Sequence, residues 1–286
     1  QSVAITAGSR GIRDIVTVIR TVAEECRAAG AHPFVVPAMG SHAGATAEGQ
    51  LALLAELGIT EATVGAPIRS CLEVVQVDTS AAGHPIWFDR LAAAADHVVV
   101  VNRVKPHTEF SGPIQSWLLK MLLIGLGEHR GALEYHRAFI RESFQRFVAE
   151  VGPRVARRCR VLCGVAIVEN HRHETGLIEV VEPEDFLARE RQLLELAQEW
   201  MPRIPFPELD LLVVDRMGKE ISGSGMDTNV VGRKGWVVGE FSEQRPRIAR
   251  IYVRDLTQAS GGNAVGIGLA DLAPSRLIGQ IDFPST

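Results

Sequence analysis

The sequence has little cysteine and no long apolar run. Its 286 residues include four cysteines, dispersed along the chain. So few cysteines exclude a disulfide framework, and Cys159 and Cys163 lack the second cysteine pair that would complete a zinc site. No apolar run reaches the roughly 18 residues that a membrane span needs. We therefore expect a globular protein of the cytoplasm, with reduced thiols and no membrane partner.

The charge balance shows no excess of one sign. Lysine and arginine number 30 against 34 aspartate and glutamate residues, and the formal net charge is −4. Without a basic excess, nucleic acid is not expected as a partner. The N-terminus has no basic segment followed by an apolar one, so a signal peptide is not expected. The first residue is Gln and a strand pattern begins at once, which is typical of a fragment or a processed form.

What the sequence does contain is an alternation of apolar strands, glycine-containing turns and helical patterns. Residues 98–101 are four consecutive valines, as expected for a central strand that is covered on both faces. Other strands are predicted at residues 3–7, 32–39, 72–77, 84–88, 161–168 and 177–181, and helices at 12–30, 46–57, 114–124, 135–151 and 183–200. This alternation predicts an α/β fold with a larger, doubly wound, mostly parallel sheet domain.

Prolines mark the expected domain boundary. Pro202, Pro205 and Pro207 follow the last long helical pattern, and residues 209–215 and 248–254 then predict strands of a smaller α/β unit. We expect residues 1–204 to form a cofactor-binding α/β domain. Residues 205–286 would form a smaller α/β domain that closes a substrate cleft, with the active site between the two domains.

Two of the nine histidines are distinguished by their position. His42 follows a predicted strand in a Gly-Ser-His turn, and His107 follows another in a Lys-Pro-His turn. Ligands of open α/β sheets bind beyond the carboxyl ends of the strands, so Arg10, His42 and His107 should lie at one edge if their strands are parallel neighbours. Because imidazole titrates near neutrality, two histidines could exchange protons on opposite sides of one carbon.

Lys120 lies inside an apolar segment, residues 114–124. A lysine there either extends to the surface or is held at a functional site, where burial makes its amine available for covalent attachment. His136, at the start of the next predicted helix, is by itself a core or capping residue. The pattern alone leaves both interpretations of Lys120 open.

A polar, glycine-rich stretch at residues 218–229 precedes Arg233 and Lys234. Glycines let the backbone approach an anion, and the two cations neutralise carboxylate or phosphate. The same composition is also typical of an ordinary surface loop, and both interpretations stay open.

Taken together, these residues resemble the nickel-dependent lactate racemase family, whose cofactor is a nickel-pincer nucleotide. Lys120 and His136 are 16 residues apart and Lys120 and Lys234 are 114 apart, intervals similar to those of the family. The matching pieces span most of the chain: Gly8-Ser9-Arg10, Gly40-Ser41-His42, Lys105-Pro106-His107, Lys120, His136, and Asp227-Thr228-Asn229 through Lys234.

The resemblance implies a racemase or epimerase of short-chain 2-hydroxy acids, with cofactor-maturation enzymes as partners. Lys120 would hold the cofactor covalently through a thioamide linkage, and nickel(II) accepts an imidazole ligand readily. One histidine would remove the hydroxyl proton while a hydride leaves Cα, and the flat 2-oxo acid would take the hydride back on its other face. The implied site residues are His42 and His107 as the acid/base pair, Lys120, Ser9 and Arg10 for the cofactor, Arg10, Asn229, Arg233 and Lys234 for the substrate, and His136 for nickel.

The chain also departs from the family pattern. Ala7 stands where an acidic residue is expected, and the segment before Lys120 is longer than the Gly-Gly-Arg-Lys type. Val231 stands where an aromatic residue would line the substrate pocket. These departures favour a short aliphatic 2-hydroxy acid other than lactate.

Three alternatives remain. The first keeps the family and changes the substrate to malate, an aryl 2-hydroxy acid or a sugar acid. The second is a nicotinamide-dependent dehydrogenase, against which the first strand lacks a following Gly-x-Gly-x-x-Gly. The third is a non-catalytic nucleotide-binding module, which would not need Lys120, His136 and both candidate bases.

Overall fold

The structure of the chain is a computed structural model. It describes residues 1–108, 112, 115, 118–139, 143–234 and 245–286, with the backbone only at residues 136, 137, 139 and 144. The chain divides into two compact units. Unit 1 comprises Gln1–Lys105 and Gly112–Trp200, and unit 2 comprises Pro106–Ser111 and Met201–Thr286. Within the described ranges, every helix is too short or too polar to cross a bilayer.

The elements alternate between strand and helix through most of unit 1. The strands are β1 (Ser2–Ala7), β2 (His32–Pro37), β3 (Val74–Thr79), β4 (Pro85–Asp89), β5 (His97–Val104), β6 (Val161–Glu169), β7 (Thr175–Val181), β8 (Glu208–Val214) and β9 (Arg247–Val253). The helices are α1 (Ile15–Ala28), α2 (Ala47–Glu56), α3 (Glu61–Val64), α4 (Arg90–Ala94), α5 (Leu118–Lys120), α6 (Glu128–Phe139), α7 (Phe144–Arg158), α8 (Phe186–Trp200) and α9 (Ser275–Ile278).

A five-stranded sheet with the order β2-β1-β5-β6-β7 forms the centre of unit 1. Strands β2, β1, β5 and β6 are parallel, and β7 pairs antiparallel with β6. The predicted α/β fold with a mostly parallel sheet is confirmed. Because β2, β1 and β5 are parallel neighbours, their carboxyl ends at Pro37, Ala7 and Val104 share one edge of the sheet.

Helices cover both faces of this sheet. On one face, Val165 of β6 belongs to the same hydrophobic cluster as Ile19 of α1. On the other face, the adjacent Gly164 lies against the side chains of Leu118 and Phe186. Successive strand residues point to opposite faces, so α1 and α8 lie on opposite sides of the sheet.

One helix prediction is wrong. The apolar pattern at residues 135–151 belongs to two helices, α6 and α7. Ser143 separates them: its backbone is extended (φ −68°, ψ 138°), and its side-chain oxygen accepts a hydrogen bond from the Arg146 N–H at 3.2 Å. A serine hydroxyl satisfies a free N–H at a helix start and so favours this position. His136 therefore lies in the second half of α6 and not in a first helical turn.

Unit 2 is built on the parallel pair β8 and β9, close to the strands predicted at 209–215 and 248–254. Its hydrophobic cluster includes Met217, Ile251 and Val253. Val231 is also part of this cluster and is 5% exposed. The residue that the sequence placed against a substrate pocket thus packs in the core of unit 2.

Candidate functional site

The loops that follow β1 and β2 meet at the carboxyl edge of the sheet in unit 1. Strand pairing extends one residue past β2, because the Ala38 N–H donates to the Ala7 carbonyl at 2.8 Å. Beyond this point Ser9 Oγ lies 2.5 Å from Nδ1 of His42. Arg10, the next residue, is exposed. The structure therefore joins two of the residues predicted for the site, Ser9 and His42, by a direct side-chain hydrogen bond.

The loop around His42 has an unusual backbone. Gly40, Ala43, Gly44 and Ala45 all have positive φ, at 61°, 56°, 68° and 51°. The left-handed region costs an alanine about 1–2 kcal/mol because its Cβ approaches the following carbonyl. Backbone strain of this kind is concentrated at ligand-binding and catalytic sites.

Lys120 is the half-buried last residue of α5 and immediately precedes a π-helical turn, Met121–Gly125. In that turn the Leu126 N–H donates to the carbonyl of Met121, five residues back, at 2.9 Å. Single π-turns are frequent at functional sites. Part of the helix predicted at 114–124 lies outside the described residues, namely 114, 116 and 117.

Both loops pack directly against this π-turn. A Cβ at Gly8 would lie 3.1 Å from Cε of Met121, and a Cβ at Gly40 would lie 3.0 Å from the Ile124 carbonyl oxygen. The Gly40 N–H donates to the Gly125 carbonyl at 3.1 Å. Glycine is needed at Gly40 for both its conformation and this close approach. Unit 1 thus brings the Gly-Ser-Arg and Gly-Ser-His loops against the segment that follows Lys120.

Sequence reasoning missed a set of buried polar residues beside this segment. Glu128 is 1% exposed and accepts a hydrogen bond from Gln50 Nε2 at 2.7 Å. Burial raises the pKa of Glu128 to about 8, and the nearby Asp89 charge acts in the same direction. Burial also raises the pKa of Asp89, to about 6. Glu128 follows an apolar segment in a polar Gly-Glu-His-Arg turn, a pattern typical of an exposed turn, so the sequence carried no signal of its burial.

In unit 2, the Asp-Thr-Asn turn holds the backbone at His107. Thr228 is buried, and its hydroxyl donates to the Thr108 carbonyl at 2.6 Å. The Asn229 side-chain amide donates to the His107 carbonyl at 3.3 Å and to Oδ1 of Asp227 at 3.1 Å. The sequence predicted this turn only as a loop. Its hydrogen bonds stabilise the backbone of the segment that carries His107, a candidate base.

The two cations after this turn differ in their surroundings. The Arg233 guanidinium donates to the carbonyls of Leu269 and Ile248 at 2.8 and 2.9 Å and pairs with Asp271 at 2.7 Å. These contacts brace the interior of unit 2. Lys234 is half-buried, and burial lowers the pKa of its amine while the Asp227 charge opposes that shift.

The nickel ligand implied by the resemblance, His136, belongs to α6, but its side chain lies outside the described residues. Among the side chains that the structure describes, no group of three His, Cys, Asp or Glu residues is arranged to hold a metal ion.

Residues 14–177 match a family described as Domain of unknown function (DUF362). The chain belongs to this family. The DUF362 match begins before α1 and ends in β7, so it includes the sheet strands β2, β5 and β6 and the segment of Lys120. A comparison with curated proteins finds no match.

Solved structures share the fold of this DUF362 chain. One is the lactate racemase apoprotein from Thermoanaerobacterium thermosaccharolyticum, with a TM-score of 0.53 and 16% identity over 74% of this chain and 52% of that chain. Another is a protein from Thermotoga maritima, with a TM-score of 0.54 and 15% identity over 89% of this chain and 66% of that chain. The chain therefore spans about half and about two thirds of these relatives, and at such identities the likeness concerns the fold.

Proposed function

We propose that this chain is a racemase or epimerase of short-chain 2-hydroxy acids that carries a nickel-pincer nucleotide on Lys120. The observation that carries the proposal is the Ser9–His42 hydrogen bond, made between two loops that pack on the π-turn directly after Lys120. The fold likeness to a lactate racemase apoprotein supports it. The Ser9–His42 pair and the turn that follows Lys120 thus belong to one packed region of unit 1, which supports the proposal.

The described residues fit such a cofactor in two respects. Lys120 is half-buried at a helix end, where a lysine amine can be partly desolvated and reactive. The glycines at positions 8 and 40 let the loops that carry Ser9 and His42 pack closely on the turn that follows Lys120. When bound, the nickel-pincer nucleotide supplies the acceptor and donor for the hydride at the substrate Cα. Lys120 would hold it covalently and His136 would provide the protein ligand to nickel.

His42 has the geometry of an oriented base. With an Nδ1–H that donates to Ser9 Oγ, Nε2 is the unprotonated ring nitrogen, which is the form that a general base needs to accept the hydroxyl proton of the substrate. In that tautomer the hydrogen bond at Nδ1 also fixes the ring plane. We assign His107 of unit 2 as the second acid/base residue, because opposite enantiomers present their hydroxyl groups differently.

We assign the carboxylate-binding role to Lys234. Lys234 is a half-buried cation, and a desolvated ammonium attracts a carboxylate more strongly than an exposed one does. Arg10, exposed beside Ser9, is assigned to the cofactor phosphate or the substrate carboxylate. Asn229 and Arg233, whose polar groups already engage unit 2, support the residues around them.

The test begins with the cofactor. The chain is produced together with cofactor-building enzymes, and its intact mass, the modified residue and the nickel content are measured. We expect a mass increase that maps to Lys120 and about one nickel per chain, as a single site requires. Lys120→Ala should abolish the modification, whereas Lys219→Ala, an exposed lysine of unit 2, should leave it intact.

Activity is then measured as exchange between enantiomers for a panel of lactate, longer aliphatic 2-hydroxy acids, malate and mandelate. His42→Ala and His107→Ala should retain nickel and lose racemisation by at least about 100-fold, as expected for the removal of an acid/base residue. An unmodified Lys120 under conditions that load a known racemase would contradict the proposal. Turnover that needs added nicotinamide cofactor would favour a dehydrogenase instead.

A further inference from the structure

Glu128 occupies the midpoint between the two residues that the proposed function assigns to the cofactor. Lys120 lies eight positions before it and His136 eight positions after it. Glu128 is the first residue of α6 and has a φ of 52°, in the left-handed region that favours glycine. A non-glycine residue in this conformation is strained, and such strain is concentrated at functional positions.

The side chain of Glu128 connects α6 to α2. Its Oε2 accepts a hydrogen bond from Gln50 Nε2 at 2.7 Å, and Gln50 Oε1 in turn accepts one from the Ser70 hydroxyl at 2.9 Å. Glu128 and Gln50 are both essentially buried, at 1% and 0% exposure. The other oxygen of Glu128, Oε1, is buried without a hydrogen-bond partner among the described residues. A movement that broke the bond to Gln50 would leave both oxygens of Glu128 unsatisfied, so this hydrogen bond favours a single arrangement of the pair.

Two backbone hydrogen bonds fix the chain just before Glu128. The Gly40 N–H donates to the Gly125 carbonyl at 3.1 Å, and the Asp89 N–H donates to the Leu126 carbonyl at 2.5 Å. The end of the π-turn is therefore held by the loop that carries His42 and by the end of β4. Glu128 adds a side-chain contact at the point where the chain changes direction into α6.

A second anchor holds α6 beside the position of His136. Tyr135 is buried, and its hydroxyl accepts from the Trp87 N–H at 2.8 Å and donates to the Trp87 carbonyl at 3.1 Å. A helix rises about 1.5 Å per residue, so Glu128 and residue 136 are about 12 Å apart along the axis. A pivot of about 5° around either anchor would change the position of the other end by about 1 Å.

We propose that Glu128, through its hydrogen bond to Gln50, is a positioning residue that sets the separation and angle between the Lys120 segment and the helix of His136. The inference rests on the proposed function for its consequence, since a displacement of about 1 Å at a reacting centre can lower a rate by about 100-fold. Its structural part, that Glu128 fixes α6, concerns the chain alone.

The protonation state is consistent with this role. Burial raises the pKa of Glu128 to about 8, so the group is mostly a neutral acid at pH 7. The Asp89 carboxyl, whose Oδ2 accepts a hydrogen bond from the Cys71 thiol at 3.4 Å, is the ionisable neighbour that favours the neutral form. A glutamine at position 128 can therefore reproduce both the charge and the acceptor for Gln50.

The structural part is tested on the protein without cofactor by hydrogen exchange of the α6 amides. We expect Glu128→Ala to raise their exchange rates by at least about tenfold and Glu128→Gln to preserve wild-type protection. The matched control is Glu190→Gln, which changes an equally buried glutamate on α8 and should leave α6 exchange unchanged. Unchanged exchange in Glu128→Ala, or an alanine-like result for Glu128→Gln, would overturn the inference.

The functional part is measured on cofactor-loaded protein as the rate of nickel loss and as kcat and KM separately. Glu128→Ala should lose nickel faster and lower kcat with little change in KM, and Glu128→Gln should restore both. If Glu128→Ala does not fold, Gln50→Met removes the same hydrogen bond from α2 and should give the same pattern. Wild-type protein that never loads would refute the proposed function, while the exchange experiment would still decide the positioning role.

Discussion

Ser9 Oγ lies 2.5 Å from Nδ1 of His42, although the two residues are 33 positions apart in the sequence. The contact exists because β1 and β2 are adjacent, parallel and in register from Ser2 opposite His32 to Ala7 opposite Pro37. Their following loops therefore leave the sheet side by side. The sheet topology itself delivers the orienting group to the candidate base.

Ser9→Ala removes the hydrogen bond that orients His42. A net hydrogen bond is worth about 0.5–1.5 kcal/mol, so we expect kcat for racemisation to fall by about 2- to 10-fold, with cofactor loading at Lys120 unchanged. The measurement is the initial rate of enantiomer exchange together with the intact mass. Ser41→Ala, in the same loop but exposed, is the control. Equal effects of the two variants would remove the orienting role of Ser9.

Gly40→Ala should destabilise unit 1 more than Gly44→Ala. Both glycines have positive φ, so both variants incur the cost of about 1 kcal/mol for a side chain in that region. A Cβ at Gly40 would also lie 3.0 Å from the Ile124 carbonyl, whereas a Cβ at Gly44 meets nothing within 4 Å. We expect an additional loss of about 1–2 kcal/mol for Gly40→Ala, from overpacking, measured by urea denaturation. Equal losses would mean that the loop moves away from the π-turn freely.

The main strands could be predicted from the sequence, because a continuous run of β-branched residues in a globular chain favours a buried strand. The valines at residues 98–101 became β5, buried between helices on both sides. The glycine turns after β1 and β2 were also recognisable, because a turn that must approach another segment closely needs glycine. The rule that parallel strands share a carboxyl edge predicted that the loops of Arg10 and His42 lie at one edge, but it did not predict the contact between Ser9 and His42.

Other features depended on contacts between distant residues. Glu128 is buried because Gln50, 78 residues away, provides its partner, and no local pattern reports that pairing. The break between α6 and α7 depended on Ser143, whose cap interrupts an otherwise continuous apolar period. Val231 was predicted beside the substrate from the family resemblance, but the core of unit 2 includes it.

Thr228→Val should disturb His107 without disturbing His42. The substitution keeps the shape of the side chain but removes the hydroxyl that donates to the Thr108 carbonyl at 2.6 Å. Loss of a buried hydrogen bond costs about 1–3 kcal/mol when its partner stays unsatisfied. We expect lower stability of unit 2 and unequal kcat values for the two enantiomers at saturating substrate, because only one acid/base residue is displaced. KM should change in proportion to kcat, since the equilibrium constant of a racemisation is one. Thr257→Val, at a buried hydroxyl without a hydrogen-bond partner among the described residues, is the control and should leave stability within about 1 kcal/mol of wild type.

Lys234→Ala should weaken substrate binding and leave the cofactor in place. Loss of a half-buried cation opposite a carboxylate is expected to raise KM by about 10- to 100-fold, equivalent to about 1.4–2.7 kcal/mol. Because burial lowers the pKa of Lys234, its positive charge is lost at a lower pH than that of an exposed lysine. Wild-type KM should therefore rise as the pH approaches that pKa from below. Lys219→Ala should retain wild-type KM at every pH, and a wild-type pH profile in Lys234→Ala would contradict the assignment.

Glu190→Leu should stabilise unit 1 at neutral pH. Glu190 is buried on α8, and both of its carboxylate oxygens are without hydrogen-bond partners among the described residues. Burial raises its pKa well above the ordinary value of 4.5, so the folded chain keeps a proton that the unfolded chain releases. The free energy of unfolding should therefore fall as the pH rises above about 4.5, by at most about 1.4 kcal/mol per pH unit for this one group.

Urea denaturation at several pH values should show a shallower fall for Glu190→Leu, with some slope left because Glu128 acts in the same direction. Glu195→Leu, exposed on the same helix, should keep the wild-type slope, and an unchanged slope in Glu190→Leu would mean that Glu190 is ionised in the folded chain.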